Sequence, residues 1–294
     1  MRISVLIPNL HCPRIGDSVS AVLAQEGVID TFEVIVVGRD RYHRIPDDPR
    51  VTFIESDRDL NPAEARNVAI RAARGELFAF LDADCVPEPH WMRELLSSHA
   101  QGHPLVAGSL TFDRGDFWSL ADNISAHHGA LPSNPEGIMT RHHPPVANLL
   151  MEKKVLDEVG VFDERYFRGQ DFELMMRIAE AGYTFYFNPR AAAAHRHSRS
   201  DAQSFIGHAI AWAPYSVMIR RQYADVLKSP WYMRNPWALR VLSPFIAAGV
   251  SARIWWRHPE LFQDVHTAPA VFLAKLVWCW AAAAALDGTI ETRL

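Results

Sequence analysis

Cysteine is scarce, with three residues in 294, Cys12, Cys85 and Cys279, far apart and without a C-x-x-C pair. That excludes a disulfide framework and a cysteine zinc centre, and it points to a reducing compartment. Glycine and proline number only 15 and 19, and hydrophobic residues make up 49% against 22% charged, which excludes collagen-like and disordered chains. A basic surplus is missing too. The formal net charge is −4, so no nucleic-acid partner is expected. The first apolar run, Ile3 to Ile7, ends at Pro8 and is too short for a signal-peptide core, so a cytoplasmic protein is the expectation. The most apolar window, Ala268 to Leu286, is interrupted by Lys275 and closes in alanines, short of a transmembrane helix but compatible with lying on a bilayer.

What charge there is divides unevenly. Residues 1 to 204 hold 21 Lys+Arg against 29 Asp+Glu, whereas residues 205 to 294 hold 9 against 5. Seven of the nine tryptophans also fall after Ser200, and between Ile219 and Arg257 seven basic residues face one acid, Asp225. Indoles mixed with cations suit helices resting on an anionic membrane interface, here the inner face. The other reading is a helical appendage with packed tryptophans and solvated arginines.

The length fits one large α/β domain with an extension, or two domains. Ile3 to Ile7, Glu33 to Val37 and Val51 to Ile54 are short β-branched runs, with an amphipathic stretch from Asp17 to Glu26 after the first. Asn61-Pro62 opens a helix that stops at Gly75, and Leu77 to Leu81 is a fully apolar strand ending in Asp82-Ala-Asp84. Strands follow at Leu105 to Phe112, Val146 to Met151, Tyr183 to Phe187 and Ala191 to Ala194, with helices at Lys153 to Val159 and Asp171 to Gly182. Strand and helix in alternation imply a mainly parallel sheet flanked by helices, with ligands beyond the carboxyl ends of the strands. The expected division is an α/β domain over 1–205, in two parts, 1–100 and 101–205, and a helical extension over 206–294. The His-, Pro- and Asn-rich stretch from His127 to Pro145 reads as a loop closing over a second substrate.

Two acids spaced D-x-D at a buried strand end repel one another, and a divalent cation relieves that repulsion. Mg²⁺ and Mn²⁺ take oxygen ligands and share them with substrate phosphates, so the pair suggests a metal clamped on a diphosphate. Short acidic turns also cap helices, and Asp171 would serve equally as a helix N-cap. The doublets His127-His128 and His142-His143 lack the spacing of a zinc site. Trp118 and Phe167-Arg-Gly169 suit either stacking on a bound ring or ordinary packing.

The runs Val5-Leu-Ile-Pro-Asn9, Phe32-Glu-Val-Ile-Val-Val37, Ala65-Arg-Asn-Val-Ala-Ile70, Gly75 to Asp84, and Gly169-Gln-Asp-Phe-Glu-Leu174 with Ala181-Gly-Tyr183 occur in one order. Over about residues 1 to 200 the chain resembles the family-2 inverting glycosyltransferases of the GT-A fold, whose sheet is of the nucleotide-diphospho-sugar transferase kind. The resemblance implies a nucleotide-sugar donor (UDP-, GDP- or dTDP-linked), an acceptor hydroxyl, inversion at the anomeric carbon and Mn²⁺ or Mg²⁺. It puts Pro8 and Asn9 beside the base, Arg66 near the base or diphosphate, Asp82 and Ala83 at the nucleotide sugar, Asp82 and Asp84 at the metal, and Asp171 as general base. Inversion needs a base opposite the leaving diphosphate and charge stabilisation upon it. His195, at a strand end within His195-Arg-His197, offers a third metal ligand and would favour manganese.

Two departures stand out. The run after the second strand is Val37-Gly-Arg-Asp-Arg41, leaving Asp40 to stand in for the acid that reads the base, and Gln170 precedes Asp171 where an acid is common. Rival readings are a nucleotidyltransferase, which would need a glycine-rich loop that Pro8 to Arg14 lacks, and a catalytically silent membrane-associated sugar-nucleotide-binding protein.

Overall fold

The computed structural model describes residues 2–27, 31–139, 144–197 and 199–290. Strands β1 (Arg2–Leu10), β2 (Thr31–Arg39), β3 (Val51–Glu55), β4 (Leu77–Leu81), β5 (Cys85–Pro87), β6 (Leu105–Phe112), β7 (Gly137–Ile138), β8 (Asn148–Glu152) and β9 (Tyr186–His195) form one sheet in the order β3-β2-β1-β4-β8-β6-β9-β5, with β7 on β9. The helices are α1 (Ile15–Leu23), α2 (Pro62–Ala72), α3 (Trp91–Ala100), α4 (Phe117–His127), α5 (Lys153–Val159), α6 (Gln170–Glu180), α7 (Ala202–Gln222), α8 (Ala224–Leu227), α9 (Pro236–Arg257) and α10 (Ala268–Leu286).

The fold class is the expected α/β sheet with flanking helices and a helical C-terminal region. Its strands β3, β2, β1 and β4 run parallel, with α1 between β1 and β2 and α2 between β3 and β4. Beyond β4 the sheet is mixed, because β8 pairs antiparallel with both β4 and β6. Both faces of the sheet centre are covered, so β4 is apolar throughout and wholly buried. One side packs Leu6, Phe78, Phe80 and Met151 on α2, α5 and α6; the other receives Ile15, Val19 and Val22 of α1.

Local signals act where expected. Asn61 caps α2 by accepting the Glu64 amide (3.0 Å) while the Glu64 carboxylate accepts the Asn61 amide (2.8 Å), with Pro62 at the first helical position. The two expected strands Tyr183 to Phe187 and Ala191 to Ala194 are instead one, β9, running through Pro189. Asn188 bridges the proline by accepting the Arg190 amide at 2.9 Å, and the Pro189 carbonyl accepts from Ser109 Oγ at 2.7 Å.

Two compact units result, one from Met1–Thr111 with Gly129–His197 and the other from Phe112–His128 with Ser198–Leu294. In the second, α10 packs on α9, α7 and α4 and buries Val271, Ala274, Cys279 and Ala281 to Ala283. The helical stretch Pro259–Leu286 is long and apolar enough to cross a membrane, and nearly half of its apolar window is buried within the molecule. The doublet His142-His143 lies outside the described residues.

Candidate functional site

Strand β4, central in the sheet, delivers Asp82 just beyond its carboxyl end, but the chain then turns instead of running on extended. The Cys85 amide donates to the Asp82 carbonyl at 3.0 Å, so the two acids do not share a face by strand alternation. Asp82 and Asp84 therefore meet different partners. Asp82 Oδ1 accepts from Arg66 Nη2 at 2.6 Å. Asp84 Oδ1 lies 3.7 Å from His195 Nε2.

The second relationship is built by the backbone. After the turn, β5 pairs antiparallel with the end of β9, setting Cys85 opposite His195, and the Arg196 amide donates to the Asp84 carbonyl at 2.9 Å. Asp84, Cys85 and His195 thereby bring three ligand-type atoms within 4.8 Å of one another. Burial, with the nearby Asp84 and Asp82 charges behind it, pushes the Cys85 thiol well above its ordinary pKa. Hard divalent ions prefer oxygen and nitrogen to sulfur, so a metal here would rest on Asp84 and His195. The Ala83 carbonyl accepts from Ser18 Oγ (2.8 Å) and Cys12 Sγ (3.4 Å), which ties the turn to α1.

Arg66 is buried on α2, its guanidinium 5.5 Å from the Phe162 ring centre. Its Nε and Nη1 are buried without a hydrogen-bond partner among the described residues. Two unspent charged donors beside an acidic turn are costly unless an anion or water meets them. Asn67 fixes this arrangement by donating to the Phe162 carbonyl (2.8 Å) and accepting the Phe162 amide (3.1 Å).

Gly169 takes the left-handed conformation (φ 73°) and caps α6 at its N-terminus, so Asp171 sits in the first helical turn and is not the cap residue. Asp171 Oδ1 accepts the Phe172 amide at 2.8 Å. Burial raises its pKa, opposed by the Arg66 charge and the Phe172 amide and reinforced by Asp82. Asp171, Arg66 and Asp82 thus act on one another electrostatically. Gln170 is buried beside it, its Oε1 without a hydrogen-bond partner among the described residues.

On the opposite flank, Pro8 and Asn9 lie just before the end of β1, opposite Val37 and Gly38 of β2, with Leu10 ending the strand. Gly38 has φ 132°, and a Cβ there would strike the Asn9 carbonyl oxygen. The Asn9 amide group is engaged at both ends, donating to the Arg39 carbonyl (2.9 Å) and accepting the Cys12 amide (3.1 Å). Asp40 is buried, and its carboxylate accepts three backbone amides, Tyr42 (3.1 Å), Arg44 (2.7 Å) and Ile45 (3.1 Å). Trp118, offered above as a stacking residue, packs on Phe205 within the second unit, where Arg199 also pairs with Asp122 (2.6 Å).

Sequence reasoning passed over Cys85, Asn67 and Asn148. Asn148 is fully buried at the start of β8, accepting from Trp91 Nε1 (2.7 Å) and donating to the Ser109 and Ala191 carbonyls (2.8 and 2.9 Å). A lone amide in the run Val146 to Met151 was the signal available.

Residues 4–160 match glycosyl transferase family 2. Similar proteins include the glycosyltransferase AglE of Haloferax volcanii, 26% identical over 63% of this chain and 64% of its own. The pre-mycofactocin glycosyltransferase of Mycobacterium tuberculosis is 32% identical over 66% of this chain and 39% of its own. The chain thus spans less than two thirds of either relative. Among solved structures, the mannosyltransferase PcManGT from Pyrobaculum calidifontis, in complex with GDP-Man and Mn²⁺, superposes with TM-score 0.62 at 19% identity, covering 98% of this chain and 88% of its own. S. aureus TarS 1–349 in complex with UDP gives 0.51 at 14% identity, covering 98% and 91%. At such identities the likeness is one of fold, that of the GT-A glycosyltransferases.

Proposed function

The chain belongs to glycosyl transferase family 2, and from that premise we propose that it is an inverting glycosyltransferase moving a sugar from a nucleotide-sugar donor to an acceptor hydroxyl with help from Mn²⁺ or Mg²⁺. The observation that carries the reading is the Asp84–His195 pair beside the Arg66–Asp82 ion pair and Asp171. PcManGT, solved with GDP-Man and Mn²⁺, supports a nucleotide-sugar donor and a divalent ion by analogy of fold.

Asp84 and His195 would hold the ion, with Asp82 near it or the ribose; when bound, the ion stabilises charge on the departing diphosphate. Arg66 would spend its two free donors on that diphosphate. Asp171 would take the acceptor hydroxyl proton as the new bond forms at the anomeric carbon. The old bond to the diphosphate oxygen breaks opposite, its electron pair leaving with the nucleoside diphosphate. A carboxyl of raised pKa is a stronger base for that task than an ordinary one. Asn9, Pro8 and Ala83 would shape the base and ribose pocket through backbone, and Asp40 would do so by folding the Arg41 to Ile45 loop.

Residues 1–205 are proposed as the catalytic part, 1–100 on the donor side and 101–205 on the acceptor side, with 206–294 as an extension that meets an anionic membrane on its cytoplasmic side. The test is incubation with UDP-, GDP- and dTDP-sugars and Mn²⁺ or Mg²⁺, followed by NMR of the transferred sugar's anomeric configuration. Metal-dependent turnover with inversion is expected; retention, or turnover unaffected by chelation, would overturn the reading.

A further inference from the structure

By length and composition the membrane-seeking element is α10, yet α10 is the covered helix of the second unit, packed by α9, α7 and α4. The exposed apolar surface belongs to its neighbour. Along α9, Trp237, Val241, Phe245, Ala248, Ala252 and Trp256 recur at intervals of three and four, so they form one stripe, about 28 Å long at the helical rise. Each is exposed, Trp237 to 74%, Phe245 to 75% and Trp256 to 86%. A monomeric soluble surface rarely carries so continuous an apolar strip.

Charge identifies what covers it. Helix α9 contains Arg240, Arg253 and Arg257 and no acidic residue. Arg240 lies 5.9 Å from the Trp237 ring centre, and its pairing with Asp287 at 2.6 Å holds it on the flank of the stripe. Arg253 and Arg257 are exposed at the other end beside Trp256, and Trp231 and Arg234 precede the helix, both exposed. Tryptophan at the two ends, aliphatic and phenylalanine side chains between, and arginines on the margin suit the boundary between acyl chains and anionic headgroups. A protein partner matched to this stripe would need acidic groups at the same margin, whereas an anionic bilayer supplies them everywhere.

We propose that the outward stripe of α9, and not α10, is the membrane-docking surface, lying in the plane of an anionic bilayer without crossing it. The assignment rests on the membrane reading above and goes further by naming the face.

The experiment floats the full chain on vesicles of phosphatidylcholine with and without phosphatidylglycerol. The expected result is flotation that depends on phosphatidylglycerol and weakens in high salt. Trp237→Asp with Phe245→Asp should lower the bound fraction about tenfold or more, the milder Trp237→Ala with Phe245→Ala should lower it less, and Trp280→Ala on α10 should leave it unchanged. Trp237 and Phe245 are exposed, so circular dichroism of their variants should match the parent chain. If the parent chain fails to float, the membrane reading itself falls. If it floats, but the α9 variants float equally well and Trp280→Ala abolishes binding, the membrane reading stands and the α9 assignment is overturned. A solution dimer split by the α9 variants with flotation unchanged would also overturn it, making the stripe a contact between copies.

Discussion

Asp84 Oδ1 and His195 Nε2 stand 3.7 Å apart, at a spacing set by the antiparallel pairing of Cys85 with His195. Because backbone fixes both side chains, the pair is held before any ligand arrives, which suits a metal site that must not reorganise during turnover. Asp84→Ala should abolish stabilisation by Mn²⁺ plus donor in a thermal-shift assay and lower kcat/KM by about 10²–10³. His195→Ala should weaken Mn²⁺ dependence more than Mg²⁺ dependence, since imidazole favours the softer ion. Unchanged Mn²⁺-dependent donor binding in Asp84→Ala would remove the metal assignment.

Asp171→Asn tests the base. Donor binding should stay within about twofold while kcat falls about 10²–10⁴, the usual worth of a positioned proton acceptor. The pH dependence has a definite sign. Burial raises the Asp171 pKa, so the acid limb of kcat should lie above the ordinary aspartate value of 3.8, the rate falling as pH drops through it. Stability runs the other way. A raised carboxyl pKa makes its contribution fully present below the unfolded-state value and lost as pH rises through the folded-state one. Asp171→Asn should therefore gain Tm relative to the parent at neutral pH, and that gain should vanish below pH 3.8. A Tm difference independent of pH would mean that Asp171 is not held under desolvation.

The sequence exposes the parts of this site whose signals are local. Strand β4 is legible because five consecutive apolar residues between Gly75 and Asp82 have the length and flanks of a strand covered on both faces, and α2 because Asn61-Pro62 and Glu64 make its cap. His195 is legible as an imidazole at a strand end. What stays hidden depends on distant backbone. The three-residue strand Cys85–Pro87 exists only because β9 pairs with it, and that pairing turns D-x-D into two carboxylates with separate partners. Helix α4 lies mid-chain yet packs with the C-terminal helices, a grouping that no periodicity announces. Trp118, within it, owes its environment to Phe205.

Asp40 separates two roles that the sequence cannot. An acid after the second strand can read a base, but here both oxygens already accept amides from Tyr42, Arg44 and Ile45. Asp40→Ala strands those amides and should cost about 1–3 kcal/mol in urea denaturation. With the loop anchor gone, donor KM should rise while kcat at saturating donor stays within about twofold, and the preference among UDP-, GDP- and dTDP-sugars should be kept. A switch in nucleotide preference at full stability would instead make Asp40 a direct reader of the base.

Lys275, the residue that interrupts the apolar window, gives the second unit its own pH signature. Its ammonium donates to the Ser125 carbonyl at 2.7 Å, and burial pulls its pKa down to about 8, with the nearby Asp122 opposing the fall. Between about pH 8 and its ordinary value of 10.5 the unfolded chain binds a proton that the folded chain has released. Stability from this group therefore rises with pH across that window, and below pH 8 the folded state carries a charge that its surroundings disfavour. Cys279 acts in the opposite sense: burial pushes its pKa up from 9.0 to about 11, so above pH 9 the folded chain keeps a proton that the unfolded chain has lost, and this offsets part of the rise in the parent chain and in the variant alike. Lys275→Met, which keeps the length of the side chain and removes the charge, should raise Tm at pH 7 by more than at pH 10. An equal shift at both values would place the ammonium in water, and a loss of Tm at both would make the Ser125 hydrogen bond worth more than the buried charge costs.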